Sequence, residues 1–271
     1  MQKITEAEFQ KLAAYIRRNY GIYLKEEKMS LITGRLGNVL LNKQMDSFSE
    51  YFDYVISDPS GNAAVELVNR ITTNHTYFMR EVEHFEYFRN TALPFLTKNV
   101  PDRDLRIWSA GCSSGEEPYT LAMILDEFFG REKLWWDTHV LATDISGDVL
   151  EEAKRGRYNR EGVDLLPEQW RKKYFSGYDK DYSEISQKIK DEVIFRKFNL
   201  MEPVFPFKRK FHVIFCRNVM IYFDNDTRDA LINKFYDMTE EGGFLFIGHS
   251  ESLNREKTRY KYVMPALYRK E

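Results

Sequence analysis

Two cysteines in 271 residues, Cys112 and Cys216, support no disulfide framework. Each ends an apolar run, and no secretory leader opens the chain, so both are expected to be free thiols. The five histidines are not grouped with cysteine at the spacing of a zinc site, and no metal is expected. Charge of one sign is also lacking. Forty Lys and Arg face forty-two Asp and Glu, a formal net charge of -2, so no global field draws the protein to nucleic acid or anionic lipid. No apolar run reaches the ~18 residues that span a bilayer. With no leader and no spanning segment, the expectation is a cytoplasmic chain without membrane insertion. Internal repeats and low-complexity tracts are absent.

What is present is core material. Hydrophobic residues make up 43% and charged residues 30%, with twenty Phe and seventeen Tyr, the composition of a globular protein. Residues 1–75 read as an all-helical domain. Thr5 with Glu8 forms a capping box ahead of Phe9, Leu12 and Ile16, and Gly21 stops that helix. A second helix is predicted from about Lys25 to Leu41. Ser47 caps a third, and a fourth follows Pro59. From residue 76 to 271 the pattern becomes α/β. A helix over 82–98 carries Phe85, Phe88, Leu93 and Leu96, and strand and helix signals then alternate. Strands are predicted at 104–109, 139–144, 211–216 and 244–248, with helices at 146–155 and near 225–238. The apolar segment 260–269 closes the chain. This alternation implies a mostly parallel sheet covered by helices on both faces. The polar, tyrosine-rich stretch at about 174–196 breaks the rhythm and reads as a small antiparallel insertion.

The densest signal lies in LRIWSAGCSSGEEPYTLA, residues 105–122. A buried strand runs into a turn with Gly111 and Gly115, and a helix follows, the arrangement that seats a nucleotide-like ligand in an open α/β sheet. Phosphate-binding turns leave backbone N–H groups clear for an anion. Here Glu116 and Glu117 stand where the phosphate would go, so a ligand that is neutral or cationic at that end is favoured. S-adenosylmethionine, with a sulfonium, an ammonium and no phosphate, meets that description. An ordinary strand-to-helix loop would look similar. Asp144, ending the next strand, adds an acceptor suited to ribose hydroxyls, and it can also cap the helix after it.

Three further polar segments fall at expected strand ends or at the domain junction. They are TTNHTYFMRE (Thr72–Glu81), Asn199-Leu200, and CRNVMIYF (Cys216–Phe223). Together with SAGCSSGEEPY, ATDIS and GHSES, in that order, they resemble the chemotaxis receptor glutamate methyltransferases, the CheR family. The resemblance covers essentially the whole chain. It implies a Rossmann-like, S-adenosylmethionine-dependent methyltransferase domain with a mostly parallel seven-stranded sheet and a small antiparallel β-subdomain insertion, preceded by an all-α N-terminal helical domain. It also implies the activity: methyl transfer from S-adenosyl-L-methionine to glutamate side chains on the cytoplasmic methylation helices of chemoreceptors. The products are glutamyl methyl esters and S-adenosyl-L-homocysteine. By motif, Asn74, Thr76, Arg80, Glu117, Asp144, Asn199, Leu200, Arg217 and Asn218 would contact the cofactor, and Arg80 and Tyr222 would be the catalytic pair nearest the reacting methyl.

The chemistry is consistent with the residues. A glutamate of ordinary pKa, about 4.3, is already ionised near neutrality, so attack on a sulfonium methyl needs no general base. Alignment must lower the barrier instead. His75 and His249 are expected to be structural, and Trp135 and Trp136 to pack at the base of a strand. The helix over 28–43 carries Lys28, Arg35 and Lys43 and no acid, a local +3 that could dock glutamate-rich receptor helices. Gly34, Gly37 and Asn38 stand there where the family tends to have more cations. The short Tyr178–Ser186 connection lacks a glycine-rich loop and points to a form that does not tether a receptor tail peptide. A monomer is expected. Two other classes remain open at this point: a methyltransferase for a small molecule, and a non-catalytic S-adenosylmethionine-binding domain. A nucleic-acid methyltransferase is disfavoured by the charge balance.

Overall fold

The computed structural model describes residues 3–73, 75–177 and 180–271. They divide into two compact units. One runs up to His75 and includes Tyr222–Arg228, and the other comprises Thr76–Ile221 and Asp229–Glu271.

The helical unit is built from α1 (Glu6–Tyr20), α2 (Met29–Asn42), α3 (Phe48–Ser57) and α4 (Asn62–Ile71). At the start of α1 the Thr5 hydroxyl accepts the Glu8 N–H at 3.3 Å while the Glu8 carboxylate accepts the Thr5 N–H at 2.9 Å. Two of the helix's unpaired donors are thereby satisfied. Gly21, in the left-handed region, ends the helix by donating to the Arg17 carbonyl. The predicted second helix starts late, because Glu26–Lys28 form a tighter 3-10 turn ahead of it. Ser47 caps α3 through the Glu50 N–H. Phe9, Leu12, Ile16, Ile32, Leu36, Tyr51 and Leu67 fill the interior. No local pattern announces that Tyr222–Arg228 returns to this unit. Phe223 bridges to Ile22, the Tyr23 N–H donates to the Tyr222 carbonyl at 2.7 Å, and Arg17 pairs with Asp224.

The α/β unit begins with α5 (Val82–Tyr87), a π turn (Phe88–Ala92) and α6 (Leu93–Asn99). The inward residues Phe88 and Leu93 are five apart, a step that a straight α-helix puts on different faces. Pro94 supplies no N–H to the ladder, and the Leu93 N–H reaches back to Phe88 instead. The widened turn brings Phe85, Phe88, Leu93 and Leu96 onto one buried face. Then come β1 (Ile107–Ala110), α7 (Glu116–Phe129), β2 (Val140–Asp144), α8 (Gly147–Arg155), β3 (Arg157–Asn159), α9 (Arg160–Asp164) and α10 (Glu168–Tyr174). They are followed by β4 (Phe175–Ser176), β5 (Tyr182–Ile185), α11 (Gln187–Lys190), β6 (Val193–Lys197), β7 (Phe211–Cys216), α12 (Asn225–Met238), β8 (Thr239–Ile247), β9 (Lys261–Met264) and β10 (Leu267–Arg269).

The main sheet has the order β6-β2-β1-β7-β8-β10-β9, parallel from β6 to β8 and antiparallel at β10 and β9. Strand alternation sorts the two faces. Phe215 and Phe246 stack at 4.2 Å, with Phe85 and Phe88 against Phe215. On β1 the Trp108 ring meets Phe198, Phe205, Phe207, Phe211 and Phe235.

A second sheet, β3-β5-β4, is antiparallel. The insertion therefore starts earlier than the expected 174–196. It also ends earlier, since Val193-Ile194-Phe195 lie in the parallel edge strand β6 rather than in the excursion. Tyr178 and Asp179, at the start of the connection read as too short for a tether, lie outside the described residues. The single element expected over 260–269 is a hairpin, turned at Ala266 with positive φ. Trp136 packs against Phe129 as expected, whereas Trp135 is 69% exposed.

Candidate active site

From β1 the chain steps outward to β2 and β6, then returns to lay β7 on the opposite side of β1. Such a reversal opens a crevice at the carboxyl ends of the strands, the usual ligand position in open α/β sheets. Four of the sequence's candidate segments follow the tips of β1, β2, β6 and β7.

The turn after β1 is held by its neighbour: the Gly111 and Cys112 N–H groups both donate to the Thr143 carbonyl, at 2.8 and 2.9 Å. Gly111 has φ +84°, and a Cβ there would overlap the Val219 methyl in the loop after β7. Gly115 caps α7 from the left-handed region. Residues 109–117 contain no cation, so nothing in this turn would neutralise a phosphate. Asp144 grips the turn from β2. One carboxylate oxygen accepts the Ser113 N–H at 2.9 Å and the other the Ser146 N–H at 3.0 Å. Burial raises the pKa of this acid and backbone hydrogen bonds oppose that rise. The Ile145 N–H is a third backbone donor to it, and since a carboxylate offers about four acceptor positions, about one stays open for a ligand hydroxyl. The shielded Ser113 hydroxyl has no hydrogen-bond partner among the described residues. The spare acceptor position, the orphaned hydroxyl and the cation-free acidic turn fit an adenosyl ligand without phosphate.

Asn199 and Leu200 follow β6 beside this acid, the Phe198 N–H donating to the Asp144 carbonyl at 2.9 Å. The Asn199 side chain accepts the Met201 N–H, and the Leu200 carbonyl accepts the Lys234 ammonium. The two glutamates part company. Glu116 turns to the Ser114 hydroxyl, and burial pushes its pKa up. Glu117 accepts the Ser109 hydroxyl at 2.7 Å and pairs with Arg217 at 3.0 Å.

Arg217 is the hub. Its side chain is 3% exposed and lies over the Phe85 ring. It donates to Glu117, twice to Glu81 and to the Arg80 carbonyl. Four of five N–H groups are thus engaged, and one has no partner among the described residues. Asn218 has φ +59°. Its N–H donates to Glu251 at 2.9 Å, and the same carboxylate oxygen accepts the Gly248 N–H. Arg80 is half-buried near the Tyr77 ring, and Thr76 is half-buried. Tyr222 belongs to the helical unit, where its hydroxyl accepts the Thr73 N–H at 3.0 Å. Asn74 lies outside the described residues. In the helical unit, the expected basic docking face is largely spent: Arg35 donates to the Ile71 carbonyl and the Thr73 hydroxyl, and Lys43 pairs with Glu66.

Two acids that sequence reasoning left unassigned, Glu81 and Glu251, organise the loops. Each ends or lies within a quoted motif, but no spacing rule pairs them with partners over a hundred and thirty or thirty-three residues away. His249 donates its backbone N–H to Glu81, and its ring meets the His84 ring edge-on. Glu81, His84 and His249 are close enough to hold a metal ion. The charge pattern opposes one. The Glu81 carboxylate is already paired with the Arg217 guanidinium, whose charge a metal ion would have to meet or displace, while burial pushes the His84 imidazole down to about 4 and keeps it neutral.

Residues 74–268 match the CheR methyltransferase, SAM binding domain, and residues 7–72 match the CheR methyltransferase, all-alpha domain. A chemotaxis protein methyltransferase of Borreliella burgdorferi is 43% identical over 270 residues, covering 98% of this chain and 95% of the relative. A probable chemotaxis protein methyltransferase of Rhizobium etli is 36% identical, covering 92% and 97%. The chemotaxis protein methyltransferase of Escherichia coli is 32% identical, covering 95% and 88%. With both domains matched and relatives aligned over nearly their whole length, the chain belongs to the CheR methyltransferase family.

Proposed function

We propose that this protein methylates glutamate side-chain carboxylates on the cytoplasmic helices of chemoreceptors, converting S-adenosyl-L-methionine to S-adenosyl-L-homocysteine, for adaptation in chemotaxis. Family membership carries the cofactor and methyl transfer in chemotaxis; the glutamate acceptor, the receptor helices and the assignment of individual residues are the finer reading. So are a monomeric state, a cytoplasmic setting, and the division into an all-α domain to residue 75 and a methyltransferase domain from residue 76. Among the described residues, no helix is long and apolar enough to cross a membrane.

The observation that supports the site most directly is the partly unsatisfied Asp144 carboxylate facing an acidic turn free of cations. Asp144 would hold a ribose hydroxyl, with the Gly111–Gly115 backbone, Asn199 and Leu200 around the nucleoside. Asn218 and the one remaining Arg217 N–H would serve the amino-acid end, alongside Asn74, Thr76 and Glu117. The cofactor, when bound, supplies an electrophilic methyl group. The chain's own work is then to orient the acceptor and exclude water. Arg80 would hold a carboxylate in a bidentate contact, and the Tyr222 hydroxyl is assigned with it to the transfer step. No side chain need take a proton, because the acceptor glutamate arrives ionised.

The test uses tritiated methyl S-adenosylmethionine with receptor cytoplasmic fragments. Base-labile label on the fragment is expected, and Arg80→Ala should abolish it. Label that resists base, or that collects only on a metabolite, would refute the ester reading. Full transfer by the Arg80→Ala protein would remove that residue from the mechanism.

A further inference from the structure

Glu81 stands at the start of α5 but does not cap it. Its carboxylate lies 3.4 Å from Nδ1 of the buried His84 on the same helix, and it accepts hydrogen bonds from two other loops. Arg217 donates at 3.0 and 3.2 Å and Asn218 Nδ2 at 3.4 Å from the loop after β7; the His249 N–H donates at 3.1 Å from the loop after β8. Arg217 then returns to the Arg80 carbonyl and crosses to Glu117 at the start of α7. Two side chains, Glu81 and Arg217, thus join the Arg80 turn to three strand-end loops of the α/β unit.

That turn needs holding. Met79 and Glu81, on either side of Arg80, both have positive φ, +60° and +56°. Residues with a Cβ occupy this region only when their surroundings impose it. The direction in which the Arg80 side chain leaves the backbone is set by those two torsions. Burial of Glu81 favours its neutral form, yet the Arg217 charge and the N–H donors outweigh it and keep the carboxyl below its ordinary pKa. The ionised state needed for this junction is therefore the one present near neutrality.

We propose that Glu81 is a positioning residue for methyl transfer: through Arg217 and the His249 backbone it locks the strained turn that aims Arg80. The inference rests on the proposed role of Arg80. Neutralising Glu81 lets the turn relax toward ordinary torsions, which displaces the Arg80 guanidinium while leaving Asp144 and the β1 turn as they were.

The experiment is a double-mutant cycle on the full chain, with transfer to a receptor cytoplasmic fragment and binding of S-adenosylhomocysteine measured in parallel. Glu81→Gln is expected to lower kcat at saturating cofactor by about 10- to 100-fold, the scale of a misplacement near 1 Å, with a much smaller loss of product affinity, because Arg217 keeps Glu117 and Asn218 keeps Glu251. In an Arg80→Lys background, expected to retain measurable transfer because the positive charge is kept, the same change should cost less than about threefold, because it acts through the residue already altered. Equal losses in both backgrounds, or an unchanged kcat, would overturn the proposal. Should Glu81→Gln fail to fold, Glu81→Asp decides. It keeps the charge but draws it back, and an intermediate loss of kcat is expected, again absent beside Arg80→Lys; parent-level kcat would refute it. A parent protein that bound no S-adenosylhomocysteine would sink the cofactor site itself, whereas normal parent binding with an unaffected Glu81→Gln variant sinks only Glu81's role.

Discussion

Removing Arg217 should expose how much of the α/β unit depends on one buried cation. Arg217→Met keeps an apolar stem on the Phe85 ring and deletes the charge between Glu81 and Glu117, each 3.0 Å away. Removing one member of a buried ion pair typically costs about 3–5 kcal/mol. The lower end applies here for two reasons. The carboxylates are 14% and 13% exposed, so water can reach them in part. Glu81 also keeps the Asn218 and His249 donors, and Glu117 keeps Ser109. At about 2–4 °C per kcal/mol for a chain near this size, a loss of about 3 kcal/mol lowers the midpoint by about 6–12 °C. The effect has a definite pH dependence. In the parent, the Glu81 carboxyl lies below its ordinary value. Its stabilisation is therefore complete above the unfolded pKa of about 4.3 and is lost as pH falls through the lower folded value. In the variant, burial acts without the cation and raises the folded pKa. The penalty is then fullest at high pH and fades as Glu81 takes a proton. Thermal unfolding followed by circular dichroism at pH 7.5 and 5 should show a gap that narrows on acidification. Equal midpoints at pH 7.5, or a gap that widens toward pH 5, would refute the reasoning.

Other perturbations separate binding from stability. Asp144→Ala should weaken S-adenosylhomocysteine binding by about 1–3 kcal/mol through loss of charge-assisted hydrogen bonds; unchanged affinity in calorimetry would remove it as a ligand. Gly248→Ala places a Cβ 2.5 Å from Asn218 Nδ2, 2.8 Å from the Asn218 backbone nitrogen and 2.9 Å from Glu251 Oε2, so a destabilisation of about 1–3 kcal/mol is expected in urea unfolding. Thr5→Ala removes the capping box at α1 and should cost about 0.5–2 kcal/mol in thermal unfolding; an unchanged midpoint would contradict the cap's contribution.

Legibility in the sequence followed the range of the interactions. The Thr5 and Ser47 caps are local chemistry, and both form as read. Phe211–Cys216, apolar except for His212, is a strand with those bounds and is buried throughout. Asp144 could be singled out because a strand end followed by a helix start is a local pattern. Readings failed where the deciding partner was distant or the turn lacked its usual residue. Arg157–Asn159 buries only one of three side chains, so alternation could not mark it as a strand, and β5 is what pairs it. Val193–Phe195 is equally compatible with either sheet until β2 claims it. The hairpin turn at Ala266 carries neither Gly nor Asn at its positive-φ position. Arg35 looks like a docking charge until the carbonyl of Ile71, thirty-six residues on, is seen to accept from it.

Cys112 and Cys216 follow or end the two strands that flank the reversal in the sheet, and both are fully enclosed. Burial raises both thiols well above their ordinary pKa. In the closed molecule neither should react with alkylating reagents at neutral pH, since thiolate and access are both lacking. Any labelling then counts excursions in which the β1 or β7 tip separates from its neighbours. The native chain so carries its own chemical clock for breathing at the sheet's centre, readable by mass spectrometry without an engineered probe.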